Sequence, residues 1–398
     1  MFSSSFVKSP GRLILAALTV LTVAASSGSA QEEPYEINAI LGLTGSSSFV
    51  GQAQQAALGA LATSVNADGG IKGRPVRFAI ADNQSNPQLT IQLTNAAIAK
   101  KVPLLLVSGL LASCKAVEPM LQTSGPVEFC LSQALYPAKD SYVFSAGIST
   151  YDLLVTELRF FRARGVRRIA SITSNDATGQ DADEQLAAVL ALRENKDVTL
   201  ADVEHFAPAD LSAVAQIEKI KSAKPQMLVV WTTGTPFGTV LRNIRDVGLD
   251  VPVATNSGNM SIPQMKQYAS FAPAELYFPG FGFQANLAAT GLGKAAQARF
   301  FSALTKANLK PDYLTGIAWD PAMIVIDAVR QLGTNATAAQ IRAFILAQRT
   351  YAGISGTYDF GDGKQRGLSA KDVVVFRWDL GQAAFVAVSS LGGAALKP

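Results

Sequence analysis

The sequence is poor in the side chains that do chemistry. Across 398 residues it holds one histidine and two cysteines, and only 16% of its residues are charged. A single histidine, His205, leaves a Ser-His-Asp triad only one possible base. No HExxH, CxxC, GxSxG or GxxxxGK[ST] pattern occurs, and no GxGxxG follows the first strand-like run. The signatures of zinc proteases, thioredoxin-like proteins, nucleophile elbows, P-loops and dinucleotide sites are therefore missing, and no cofactor or metal is expected. Concentrated charge is missing too. The formal charge is +4, and the densest basic group, "RARGVRR" at 162–168, reads as a solvated helix end and not as a nucleic-acid patch.

Long apolar runs are confined to the start. "MFSSSFVKSPGR" carries two basic residues and no acid, "LILAALTVLTVAA" is apolar, and "SSGSA" offers Gly28 and Ala30 where a signal peptidase reads. Residues 1–30 are read as a secretory signal peptide. No cysteine follows the apolar run, so no lipid anchor is expected. Losing Lys8 and Arg12 with that segment leaves 32 basic residues against 30 acidic ones. The longest later run, "VPLLLVSGLLAS" at 102–113, falls short of the roughly 18 residues of a membrane helix. The mature protein is expected to be soluble, exported and monomeric.

Export bears on Cys114 and Cys130. Both lie just past the ends of successive strand-like runs, and an oxidising compartment would let them pair; two buried free thiols are the alternative.

What the sequence does have is a rhythm. It is 48% hydrophobic, and short apolar runs alternate with amphipathic stretches. "EINAILG" (36–42), a helix over 50–66 with Leu58, Leu61 and Val65 on one face, "PVRFAIA" (75–81), a helix opening at Asn86-Pro87, "PLLLVSG" (103–109) and "VEFCLS" (127–132) make one series. "RRIASITS" (167–174), "VTLADVEHF" (198–206), "QMLVVWT" (226–232) and "VPVATN" (251–256), with helices between, make a second. This alternation predicts parallel sheets covered by helices, in about two domains for this length. Residues 292–348 read as mostly helical, and "GTYDFGDGKQRG" (356–367) as a hairpin-like turn before a strand at 372–379.

In open parallel sheets ligands bind beyond the carboxyl ends of the strands. The segments there are "TGSSSFVG" (44–51), "LASCK" (111–115), "LSQAL" (131–135), "NDATGQ" (175–180), "TTGTPFG" (232–238) and "NSGNM" (256–260). Their Ser, Thr, Asn and Gly residues, Ser132 and Thr235 among them, are equipped to hydrogen-bond a ligand and poorly equipped to react with one.

The same segments carry a resemblance. "GLTGSSSFVGQ…NADGGIKGRPVRFAIADNQSNPQ", "ATGQDADEQ", "TTGTPFGTVLRNIRDVGLDVPV", "PDYLTGIAWDPAMIVIDAV" and "GTYDFGDGKQRG", in that order, resemble the type I periplasmic solute-binding proteins, the leucine/isoleucine/valine-binding group. The resemblance implies a two-lobed α/β fold with parallel sheets flanked by helices, three chain crossings and a ligand cleft between the lobes. Lobe one would hold 31–148 and 276–352, and lobe two 149–275 and 353–398. It implies a periplasmic receptor that captures a small organic solute and hands it to a membrane ABC permease.

Carried over residue by residue, Ser113 takes the place of the family serine that holds the ligand carboxylate, and Gln133 and Ala134 supply backbone groups. Ser257 stands at the glutamate that grips an α-ammonium, and Val50, Thr178 and Thr233 stand at the surrounding tyrosines. Phe49, Phe237 and Phe281 are the aromatics nearby in sequence, each a candidate for ligand contact or for the core. The missing acid points to a carboxylate without an α-ammonium, with an aromatic acid the first expectation; Asp176 is a possible substitute acid. An amino-acid receptor, a ligand-sensing domain for a regulatory partner and a secreted hydrolase are the competing functions.

Overall fold

A computed structural model describes residues 4–8, 33–285 and 291–396. The expected signal peptide lies outside these residues except for 4–8, which have no regular structure.

Strands β1 (Tyr35–Leu41), β2 (Val76–Asp82), β3 (Leu104–Val107), β4 (Val127–Cys130) and β5 (Val143–Ser145) form an all-parallel sheet in the order β2-β1-β3-β4-β5. Helices α1 (Ser48–Ala67), α2 (Pro87–Ala99) and α3 (Leu111–Val117) link its first four strands. After α4 (Thr150–Ala163) the chain runs through β6 (Arg168–Ser174), α5 (Ala177–Leu190), β7 (Thr199–Phe206), α6 (Val214–Ser222), β8 (Met227–Trp231), α7 (Thr235–Val247), β9 (Val253–Thr255), α8 (Ile262–Gln267) and β10 (Leu276–Phe281). Helices α9 (Leu292–Lys306), α10 (Tyr313–Leu332) and α11 (Ala338–Leu346) follow, then a small hairpin of β11 (Tyr351–Ala352) and β12 (Thr357–Tyr358). Last come β13 (Val373–Asp379) and β14 (Ala384–Ala387). The second sheet has the order β14-β13-β10-β9-β8-β6-β7, parallel from β7 to β10 and antiparallel beyond.

Strands β3 and β8 are buried at every residue, which is why they read as unbroken apolar runs. The glycines after α1 end it. Gly69 and Gly70 have φ of +87° and +64°, and a Cβ on Gly70 would sit 2.2 Å from the Arg74 carbonyl oxygen. Only glycine fits a turn that close, and the chain re-emerges at once into β2. At the next turn the Asn86 side chain accepts from the Gln88 and Leu89 amides and Pro87 opens α2.

The second and third crossings come later than the expected boundaries. Residues 276–281 are not in lobe one: β10 pairs with β9 and β13 in the second sheet. Proline usually breaks a strand, yet Pro279 stands inside β10. It stands opposite Val375, whose own amide and carbonyl bond to Ser389 and Val388, so no ladder bond is lost. Residues 353–366 likewise stay with the first sheet. The Ser145 amide donates to Gln365, the Gln365 side chain donates to the Ser141 and Val143 carbonyls, and Phe360 packs edge-on against Phe129 and Phe144. The hairpin turn also falls at 353–356, just ahead of the stretch expected to form it.

Cys114 of α3 and Cys130 of β4 form a disulfide with Cα atoms 5.8 Å apart, both fully buried. Closing a loop of this length is worth about 3 kcal/mol on the chain-entropy account. Exported protein, denatured without reductant, should therefore take up no alkylating reagent by mass spectrometry and two equivalents after reduction. Two labels before reduction would count against the bridge.

The basic group at 162–168 is tied down. Arg162 and Arg167 both pair with Asp197 at 2.8 and 2.7 Å, Arg168 donates to the Ala223 carbonyl, and Arg164 lies over the Phe160 ring. Among the described residues no helix is long and apolar enough to cross a membrane.

Candidate functional site

Loops at the carboxyl ends of both sheets converge on one small cavity. Gly109 and Leu110 follow β3, and Leu131 to Ala134 follow β4. Thr178 comes after β6, Thr233 after β8 and Gly258 after β9. Helix α1 adds Val50 and Gln54, and the first turns of α10 add Tyr313, Leu314 and Ile317. The cavity holds about 10 Å³, room for about one water. The two lobes touch beside it, where the Thr235 amide donates to the Ser46 carbonyl at 3.3 Å. A cavity of this size does not hold an organic solute, so its walls have to give way on binding.

The strands fix these loops by ordinary hydrogen bonding. Asp82, at the end of β2, accepts from the Leu43, Thr44 and Gln84 amides and the Thr44 hydroxyl, which pins the loop leading into α1. Burial raises the Asp82 pKa, but these bonds outweigh it and hold the group below its ordinary value. Asp176 caps α5 through the Thr178 and Gly179 amides and accepts from the Ser174 hydroxyl. It acts as a helix cap and is not among the residues lining the cavity. On the other side the Asn256 side chain accepts from the Gly258 amide and the Thr233 hydroxyl.

Of the residues singled out in the sequence, Val50, Ser132, Gln133, Ala134, Thr178 and Thr233 line this cavity. The others do not. Ser113 is fully buried behind the wall, its hydroxyl accepting from Asn83 at 3.1 Å. Ser257 donates to the Pro279 carbonyl at 2.7 Å. Phe237 is core, edge-on to Tyr268 and Phe278, because α7 turns that face inward. Phe281 stacks on Tyr313 at 5.1 Å without reaching the cavity. Phe49 lines a separate groove between α1, α8 and the start of α10, and Thr235 is exposed at the start of α7.

Sequence reasoning missed Gln54 and Tyr313. Gln54 interrupts the buried face of α1 that Val50, Ala57, Leu58, Leu61 and Val65 make, and a polar residue on such a stripe was the available signal. Tyr313 follows the Asp312 cap of α10, and its hydroxyl donates to the Gln133 side-chain oxygen at 3.3 Å. Burial pushes its phenol pKa up, with the Arg366 cation opposing.

Among the described residues no charged side chain lines the cavity. Ions stand behind its walls. Arg366 donates to the Leu135 and Gly147 carbonyls and lies over the Tyr136 ring at 5.4 Å. Asp181 is buried, and that burial raises its pKa to about 6 against the pull of the Thr150 hydroxyl, Lys115 and Arg366. At the one histidine, no nucleophile among the described residues is poised against the ring. The His205 imidazole meets Asp183 at 2.8 Å, and the Thr173 hydroxyl donates to that same carboxylate, so the hydroxyl and imidazole do not meet each other. The sulfurs of Cys114 and Cys130 lie within 4.8 Å of a Glu128 oxygen, but their bond to each other leaves no thiolate pair for a metal. The arrangement can enclose a small molecule and hydrogen-bond it.

No curated protein matches the sequence. Solved structures do. An extracellular ligand-binding receptor from Rhodopseudomonas palustris HaA2 is 20% identical with a TM-score of 0.79, over 89% of this chain and 99% of that one. The branched-chain amino acid transporter substrate-binding protein LivJ of Streptococcus pneumoniae, in complex with isoleucine, is 19% identical with a TM-score of 0.72, over 90% and 100%. An ABC transporter solute-binding protein from R. palustris, in complex with 4-hydroxybenzoate, is 14% identical with a TM-score of 0.75, over 90% and 96%. These likenesses establish the two-lobed fold. A family model described as periplasmic binding protein matches residues 34–383, nearly the whole described chain, and the chain belongs to that family.

Proposed function

We propose that the protein is a periplasmic receptor that captures a small organic acid without an α-ammonium, an aromatic carboxylate above all, and delivers it to an ABC permease. The observation that carries this reading is the uncharged cavity wall. An amino acid would bring its ammonium into a closed cleft with no carboxylate to meet it. Leaving a buried charge unpaired costs several kcal/mol, a large part of the roughly 8 kcal/mol of micromolar binding. Ser257, which the resemblance sets at the family's glutamate, does not line the cavity, and its hydroxyl is spent on Pro279. An aromatic acid fits the mixture that is present. Val50, Leu131 and Ile317 suit a ring, while Ser132 and Thr178 offer hydroxyls to a carboxylate. The 4-hydroxybenzoate complex of the R. palustris neighbour supports this fold as a frame for such ligands.

Calorimetry of the mature protein with leucine, phenylalanine, benzoate and a hydroxycinnamate tests the reading. Binding of an aromatic acid without binding of leucine or phenylalanine is the expected result. Tight binding of either amino acid, with no response to the two acids, would replace this receptor by an amino-acid receptor.

A further inference from the structure

Among the described residues Gln54 has no side-chain hydrogen-bond partner. It is 0% exposed, and neither its side-chain nitrogen nor its side-chain oxygen has a hydrogen-bond partner. Among the described residues lining the cavity it is the one with buried polar side-chain atoms left unmatched. Its polar neighbours differ: Gln133 accepts from Tyr313, Thr233 donates to Asn256 and Ser132 accepts from the Ala134 amide. Buried polar groups are nearly always satisfied, so an amide orphaned at both ends beside a ligand cleft calls for an explanation. The fold also makes room for it. A Cβ on Gly109 would lie 2.9 Å from the Gln54 nitrogen and 2.6 Å from Val50, so the missing side chain at Gly109 is what lets the amide sit there.

We propose that Gln54 is a specificity-determining residue that reads a hydroxyl group on the ligand. This rests on the receptor reading above and names the ligand class more closely, as a hydroxylated aromatic acid. The amide presents one acceptor and one donor group side by side. A carboxylate can only accept, so it would serve the nitrogen and leave the oxygen bare. A bare ring serves neither. A hydroxyl donates to the amide oxygen and accepts from the nitrogen, and it satisfies both ends at once. A site with buried polar groups discriminates against the analogue that leaves them unpaired. The hydroxyl of Thr178, from the second lobe, remains for the carboxylate.

The test is calorimetry of the full mature chain with benzoate, 3-hydroxybenzoate and 4-hydroxybenzoate, on wild type and Gln54→Leu. Wild type should bind at least one hydroxylated acid about tenfold or more tighter than benzoate, and Gln54→Leu should abolish that preference while keeping benzoate. Unliganded Gln54→Leu should also melt above wild type, because it removes two unmatched polar groups. Equal wild-type affinity for benzoate and both hydroxybenzoates would overturn the role of Gln54 and leave the receptor reading standing. So would a preference that survives in Gln54→Leu. The wild-type comparison decides by itself should the variant not fold. Failure of all three acids to bind wild type would sink the receptor reading and this inference with it.

Discussion

Gly234→Ala should weaken ligand binding by about 100-fold and leave the protein in an open form. Gly234 sits at the start of α7 with φ +84°, and a Cβ there would stand 2.3 Å from the carbonyl oxygen of Ser46, in the other lobe. That oxygen is backbone. It belongs to a loop held by Asp82 and by Ser85, whose hydroxyl donates to the Thr44 carbonyl, so it cannot rotate aside as a side chain would. The neighbouring Thr235 amide already bonds to the same oxygen. An added methyl is therefore relieved most cheaply by parting the lobes, and the closed form bears a cost the open form escapes. A closure penalty of about 2.7 kcal/mol corresponds to the hundredfold loss. Backbone strain at positive φ is a separate effect, felt open or closed, of about 1 kcal/mol. Gly165→Ala separates the two. Gly165 also has positive φ, +88°, but a Cβ there meets nothing within 4 Å. It should lower the melting temperature and spare affinity. Calorimetry gives the affinities, and small-angle scattering should show that saturating ligand compacts wild type and Gly165→Ala but not Gly234→Ala. Affinity of Gly234→Ala within about threefold of wild type, with normal compaction, would remove Gly234 from the closing contact.

Much of this architecture was legible because it is written in periodicity. Runs such as "MLVVW" and "LLLV" are apolar without alternation because helices cover both faces of their sheets, and the cap Asn86 announces the start of α2. The cavity was legible only as a set of loops. Which side chain on a loop faces the cleft depends on one or two backbone torsions, and sequence proximity does not report them. Ser113 shows this: it lies on the right segment, yet Asn83 takes its hydroxyl from behind. Phe237 lies two residues beyond Thr235 and points into the second lobe's core. Tyr313, which does reach the cavity, arrives from a helix nearly two hundred residues after Gln133 and could be placed only by the tertiary fold. The late crossings have the same origin. Whether residues 353–366 stay with the first sheet is settled by Gln365 bonding to Ser141 and Val143, a long-range pairing that no local pattern encodes.

Glu128→Gln and Glu157→Gln should stabilise the protein at neutral pH and do so much less in acid. Glu128 lies on β4 beside the disulfide, and Glu157 on the buried face of α4; they are 0% and 1% exposed. Among the described residues no carboxyl oxygen of either has a hydrogen-bond partner. Burial pushes both pKa values well above the ordinary carboxyl range, and for Glu128 the nearby Glu118 adds to it. Each group then holds its proton to higher pH in the folded protein than in the unfolded chain, whose carboxyls release theirs above about pH 4.3. Below that pH both states are protonated and no penalty exists. As pH rises, each group costs about 1.4 kcal/mol per unit until the folded-state pKa is passed. A buried carboxyl that has to keep its proton therefore takes stability away as the pH rises. Glutamine keeps the shape and does not titrate. Unfolding midpoints in urea, followed by the fluorescence of buried Trp319, Trp231 and Trp378, should show each variant gaining on wild type between pH 4.5 and 7.5, and the double variant gaining by about the sum because the sites lie in different lobes. The same variant-minus-wild-type difference at both pH values would mean that these carboxyls ionise in the folded protein without cost, and that water or a cation reaches them.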